Sequence, residues 1–143
     1  MKIVKISHLR MYFVLLGVLA VVSSSFTADW PLWRGLNSDG VSQELGLPSS
    51  WSPEGENLIW KQAIGGRSTP IVLDGRVCII TLAEPHKPSE WQERIVCFDE
   101  LTGTIKWDFR YKVFLTDIPH HRVGWASLAG DPESGFIYSN GIE

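Results

Sequence analysis

The chain has 143 residues, with 13 Gly, 8 Pro and 7 Trp, and 13 Lys/Arg against 16 Asp/Glu for a formal net charge of −3. At 44% hydrophobic and 20% charged it is a folding chain rather than a disordered one, and its length suits one domain at most. The Gly and Pro content disfavours a helical bundle, and the acidic balance excludes a nucleic-acid partner held through phosphate contacts.

Residues 1–28 read as a signal peptide. Lys2, Lys5 and Arg10 form a basic start without an acid, Met11–Val22 (MYFVLLGVLAVV) is an unbroken apolar or glycine run, and Ser23, Ser24 and Ser25 follow. An uncleaved membrane anchor is the rival reading, but a spanning helix needs about 20 predominantly apolar residues. Cleavage fits after Ser25 or after Ala28. No Cys follows the apolar run, which excludes a lipid-anchored lipoprotein. The expectation is therefore an exported protein, periplasmic or extracellular, without membrane contact beyond this segment. Loss of three cations and no anion leaves the remainder more acidic, and export permits a disulfide.

Residues 29–56 read as irregular structure, because Trp30-Pro31, Asn37-Ser38-Asp39-Gly40, Leu47-Pro48 and Ser52-Pro53-Glu54-Gly55 are turn formers between the aromatic anchors Trp30, Trp33 and Trp51. Residues 57–143 then carry strand signals. A strand is expected over 57–63 (NLIWKQA), ended by Gly65-Gly66. Another over 69–73 runs into the hairpin turn Asp74-Gly75 and the strand 76–82. After a loop over 83–93 come strands at 94–98 and 104–110 around the turn Asp99 to Gly103. Two more, 126–129 and 136–139, flank Asp131 to Gly135. No window outside the leader keeps a helical apolar period, so the fold class is all-β, built of short antiparallel strands.

Few residues carry chemistry. Cys78 and Cys97 lie 10 and 9 residues from the centre of the 83–93 loop, so a nearly symmetric hairpin sets them opposite each other, within disulfide reach. The alternative is that each is buried as a small hydrophobe. His120 and His121, adjacent on an extended chain, point to opposite sides and read as a solvated connector rather than a metal site. Lys87, Glu90, Glu93 and Arg94 read as a polar loop face. The Trp residues read as packing residues, with sugar stacking left open for Trp91 in its loop. No catalytic residue and no metal ligand set is expected.

Internal order narrows the architecture. Trp60 and Trp107 each close a strand and are each followed by a connector, a small-residue strand, an Asp…Gly turn and an apolar strand. Such a unit of short strands suits a blade of a β-propeller. The segment Cys97-Phe98-Asp99-Glu100-Leu101-Thr102-Gly103-Thr104-Ile105-Lys106-Trp107 resembles the tryptophan-docking motif of pyrroloquinoline-quinone-like propeller repeats, Ala-x-Asp-x-x-Thr-Gly-x-x-x-Trp, with Cys97 in place of Ala. Asp29 to Gly40, Val123 to Ser127 and Gly130 to Gly135 also resemble exported bacterial proteins of this kind. Trp107-Asp108 fits a WD40 repeat less well, because the Gly-His pair of that repeat is missing upstream.

The resemblance implies a partial propeller of about one and a half blades, from a truncated product or fragment of a ring of about eight. It implies a structural role for Cys97, Asp99, Thr102, Gly103 and Trp107, with Trp107 lying flat across a turn of the neighbouring blade. A scaffold resembling outer-membrane assembly proteins, binding protein partners through the propeller surface, is the expected function. The alternative is the start of a quinone-dependent dehydrogenase, in which pyrroloquinoline quinone and Ca²⁺ are held only by a full-length propeller. No ligand of that cofactor maps onto this sequence, and the vicinal Cys pair often found in such enzymes is missing.

Overall fold

A computed structural model describes residues 28–87, 91–113 and 122–141. Residues 1–27 of the expected leader, Glu90, His120 and His121 lie outside these. The described residues are all-β, in a four-stranded antiparallel sheet and a two-stranded one.

The large sheet is a meander of β1 (Ile71–Leu73), β2 (Arg76–Ala83), β3 (Gln92–Asp99) and β4 (Ile105–Lys112), in that order across the sheet. Local turn chemistry sets each hairpin. Asp74 and Gly75 both take positive φ, 49° and 66°, which is the primed turn whose twist suits two flanking strands. Register then follows, with Leu73 opposite Arg76 and Ile71 opposite Cys78. Between β2 and β3 the pairing runs without a break from Arg76↔Asp99 to Ala83↔Gln92. A bulge at Cys97/Phe98 shifts the pairing of β3 with β4 just before their turn.

Alternation sorts the side chains onto two faces. On one, Ile71, Cys78, Ile80, Ile95 and Cys97 are buried together with Leu128, and Tyr111 and Ile137 pack against them. Leu128 and Ile137 belong to the small hairpin region, in which β5 (Ala129–Gly130) pairs with β6 (Ile137–Tyr138). On the other face Val96 and Phe98 are buried, and Trp60 packs on Phe98 with ring centroids 5.8 Å apart.

The inner edge of the sheet is closed by the amino-terminal segment. Trp30 exchanges two backbone hydrogen bonds with Val72, and the Gly130 N–H donates to the Pro31 carbonyl at 2.7 Å. Ser68 continues this closure: its Oγ donates to the Ile80 carbonyl and accepts from the Ile80 N–H, where β1 is too short to pair β2. Beyond this bridge, residues 31–70 form turns and bends rather than strands.

The strand expected over 57–63 is a correction. This segment starts in a turn, with Asn57 at φ 53°, and pairs with no strand among the described residues. Trp60 and Gln62 instead spend their polar atoms on the turn between β3 and β4, as described below, and Ile59 faces solvent. An apolar segment that docks by side chains resembles, in sequence, one that pairs by backbone.

Candidate functional site

The most highly constructed feature is the β3–β4 turn and the indole upon it. Asp99 begins the turn. Its Oδ1 accepts hydrogen bonds from the N–H groups of Leu101 (3.1 Å) and Thr102 (2.9 Å) and from the Thr102 hydroxyl (3.0 Å). The backbone closes it: Gly103 N–H donates to the Asp99 carbonyl and Asp99 N–H to that of Thr104, each at 2.8 Å. These donors, the Thr102 N–H first, with the Lys106 ammonium 3.2 Å away, hold the Asp99 carboxyl below its ordinary value.

Gly103 sits at φ 69°, where a side chain is strained, and a Cβ there would lie 2.6 Å from Cδ2 of Trp60. The indole therefore lies directly on the bare backbone. Its Nε1–H donates to the Glu100 carbonyl at 2.6 Å, and Gln62 Nε2 donates to the Gly103 carbonyl at 2.7 Å. Of the sequence-derived docking residues, Asp99, Thr102 and Gly103 meet in this turn. Cys97 lies on β3, and Trp107 lies opposite it on β4, 36% exposed. The indole on the turn is Trp60, 43 residues before Gly103 in the chain.

A second turn has the same construction. Asp131 accepts from the Glu133 N–H and from the Ser134 hydroxyl, Gly135 N–H donates to the Asp131 carbonyl, and Gly135 has φ 70°. The Asp131 carboxyl is likewise held below its ordinary value, first by the Ser134 hydroxyl. Here Arg76 rather than an indole reaches the glycine, donating to the Gly135 carbonyl at 3.3 Å.

Cys78 and Cys97 lie directly opposite each other in the β2–β3 register, with Cα atoms 4.1 Å apart, and are joined as a disulfide. Both are fully buried in the core cluster.

Glu93 and Arg94 differ from the expected polar loop face. Strand β3 begins at Gln92, so Glu93 falls on the face of Ile95 and Cys97 and is 1% exposed. Its carboxylate accepts from the Tyr111 hydroxyl at 2.6 Å and from the Gly124 N–H at 2.8 Å, tying β4 and the residues before β5 to the sheet. Two more residues of strand, read back from Arg94 on the alternation of Ile95 and Cys97, place Glu93 on this face. Arg94 points to the other face and binds Asp108 through Nε and Nη2, at 2.9 and 2.6 Å. Burial acts to raise the Asp108 carboxyl, but hydrogen bonds from Arg94 and Arg110 outweigh it and hold it low. Trp91 is half-buried just ahead of β3.

Outward of the core, one face of β4 carries Trp107, Phe109 and Tyr111. Phe109 is 56% exposed, and beside it a groove of about 680 Å³ is lined by Ile95, Phe109, Tyr111, Val113 and Gly141. Among the described residues no three His, Cys, Asp or Glu side chains converge as a cation site.

Compared with protein-family models, with curated proteins and with solved structures, the chain finds no match.

Proposed function

We propose that this chain is built of propeller repeats of the pyrroloquinoline-quinone-like type and acts as an exported, noncatalytic scaffold that binds or assembles protein partners. The observation that carries the reading is Trp60 seated on Gly103. A meander of four strands, with a turn of the form Asp-x-x-Thr-Gly capped by an indole from an earlier segment, is the arrangement expected of such repeats. Trp107 repeats the sequence place of Trp60, so it is the residue that seats on the corresponding turn of a further unit. The exposed Trp107 and Phe109 and the groove beside them supply an apolar contact surface of the sort that partner proteins cover.

Titration of the protein with pyrroloquinoline quinone and Ca²⁺, followed by calorimetry and quinone absorbance, tests the noncatalytic role. The scaffold reading expects no saturable binding. Stoichiometric binding would replace it with a quinone-dependent oxidoreductase.

A further inference from the structure

After Trp30 the chain leaves the sheet and turns back onto its own amino-terminal segment. Asp39 Oδ1 accepts from the Val41 N–H, the Gly40 N–H donates to the Arg34 carbonyl, and Arg34 Nη2 donates to the Asp39 carbonyl at 3.1 Å. This closed loop returns Glu44 beside Ala28, whose N–H donates to Glu44 Oε1 at 2.8 Å. Between the loop and the amino-terminal segment lies a cavity of about 370 Å³.

The cavity has two kinds of wall. Trp30, Leu36 and Val41 supply apolar surface, and Leu36 and Val41 are 63% and 55% exposed. Asp29, Glu44 and Glu100 line it too, while no Lys, Arg or His does among the described residues. Open apolar surface beside an acidic lining suits an occupant that carries a cation and an apolar side chain together. A free amino terminus on a large apolar residue is such a group, and Phe26 lies two residues ahead of Ala28.

We propose that the leader is cut after Ser25 and that the new terminus, Phe26, folds into this cavity, its ring against Leu36 and Val41 and its α-ammonium beside Glu44. The proposal rests on the export reading above. Water adds across the Ser25–Phe26 peptide bond: the Ser25 carbonyl leaves on the released leader as a carboxylate, and the nitrogen stays on Phe26 as an ammonium. A cut there leaves small Ser25 and Ser23 at the last and third-last positions of the leader, whereas a cut after Ala28 puts bulky Phe26 at the third-last. Two residues span at most about 7 Å, so the Phe26 amine stays within that distance of the Ala28 N–H that Glu44 binds. An α-amine is ordinarily protonated at neutral pH and supplies the cation that the lining lacks. A cut after Ala28 would discard both the Ala28 bond to Glu44 and the apolar occupant.

The full chain, secreted from a bacterial host, is read by intact mass and amino-terminal sequencing of the exported product. Residues 26–143 are expected. A product beginning at Asp29 overturns the proposal and leaves the export reading standing, whereas one that retains Met1 overturns both. Docking is then read on the processed protein. Phe26→Gln keeps a bulky residue at its position, so the cut after Ala28 stays disfavoured, and it should lower the urea midpoint by about 0.5–1 M through loss of the buried ring. Glu44→Gln keeps an acceptor for the Ala28 N–H but removes the charge. The α-amine should then acylate several-fold faster at pH 7, because a neighbouring carboxylate holds it protonated. A midpoint unmoved by Phe26→Gln, or equal acylation rates with and without the Glu44 charge, overturns the placement of Phe26 in the cavity.

Discussion

Replacing Trp60 with Ala removes the indole from Gly103 and leaves the left-handed turn bare on one side. Burial of a whole Trp in a core is worth about 3–5 kcal/mol against Ala. Trp60 is half-buried, and its Nε1–H also makes a 2.6 Å hydrogen bond worth about 1 kcal/mol. The expected loss is about 2–3 kcal/mol, most of it from packing on Gly103 and on Phe98. With a urea slope of about 1.5 kcal/mol/M for a small domain, the unfolding midpoint falls by roughly 1.5–2 M. Trp60→Phe keeps a ring on the turn but loses the donor, and should cost about half as much. Trp33, 64% exposed, is the control, and Trp33→Ala should stay within about 0.5 kcal/mol. If Trp60→Ala and Trp33→Ala cost the same, the indole does not support the turn.

Gly103→Ala should lose about 3 kcal/mol in the same titration, since it combines a strained φ with a Cβ placed 2.6 Å from the indole. Unreduced protein, unfolded and treated with a thiol reagent, should release no free thiol from Cys78 or Cys97. Reduction should cost about 3 kcal/mol for a bridge spanning 19 residues, whereas two reactive thiols before reduction would refute the bridge. Tyr111→Phe should lower stability by about 1–2 kcal/mol, because it takes a hydrogen bond from the buried Glu93 carboxylate, and it should speed amide exchange at Gly124. In acid, the depressed carboxyls of Asp99, Asp108 and Asp131 confer stability that is complete above their ordinary value of 3.8 and is lost as pH falls below it. Asp99→Asn should therefore flatten the acid limb of the stability curve while lowering the plateau at neutral pH.

What the sequence made legible was local. Asp74-Gly75 and Asp99 to Gly103 are turns whose residue types dictate their backbone, and the apolar strands around them fall into register once the turns are set. The β2–β3 pairing was readable only to within one residue, because it is symmetric about residues 84–91 and not about the expected 83–93 loop. Residues 57–63 were not readable, because Leu58, Ile59 and Trp60 have strand-like character but Trp60 and Gln62 find their partners some forty residues away. Glu93 was hidden by charge. Its strand extends two residues beyond the apolar run, and only the partnership with Tyr111 and Gly124 makes a carboxylate tolerable there. The candidate site follows this division, with the turn legible and its indole supplied by a long-range contact that composition and spacing do not specify.

The central claim is that Trp60 caps the Asp99–Gly103 turn. Proton NMR of the protein tests it directly, because an indole face pressed on a glycine shifts the Gly103 Hα resonances strongly upfield. The account predicts that shift, with nuclear Overhauser contacts from the Trp60 ring to Gly103, and its loss in Trp60→Ala. Gly103 Hα resonances at ordinary positions in the folded protein, unchanged by Trp60→Ala, would contradict it.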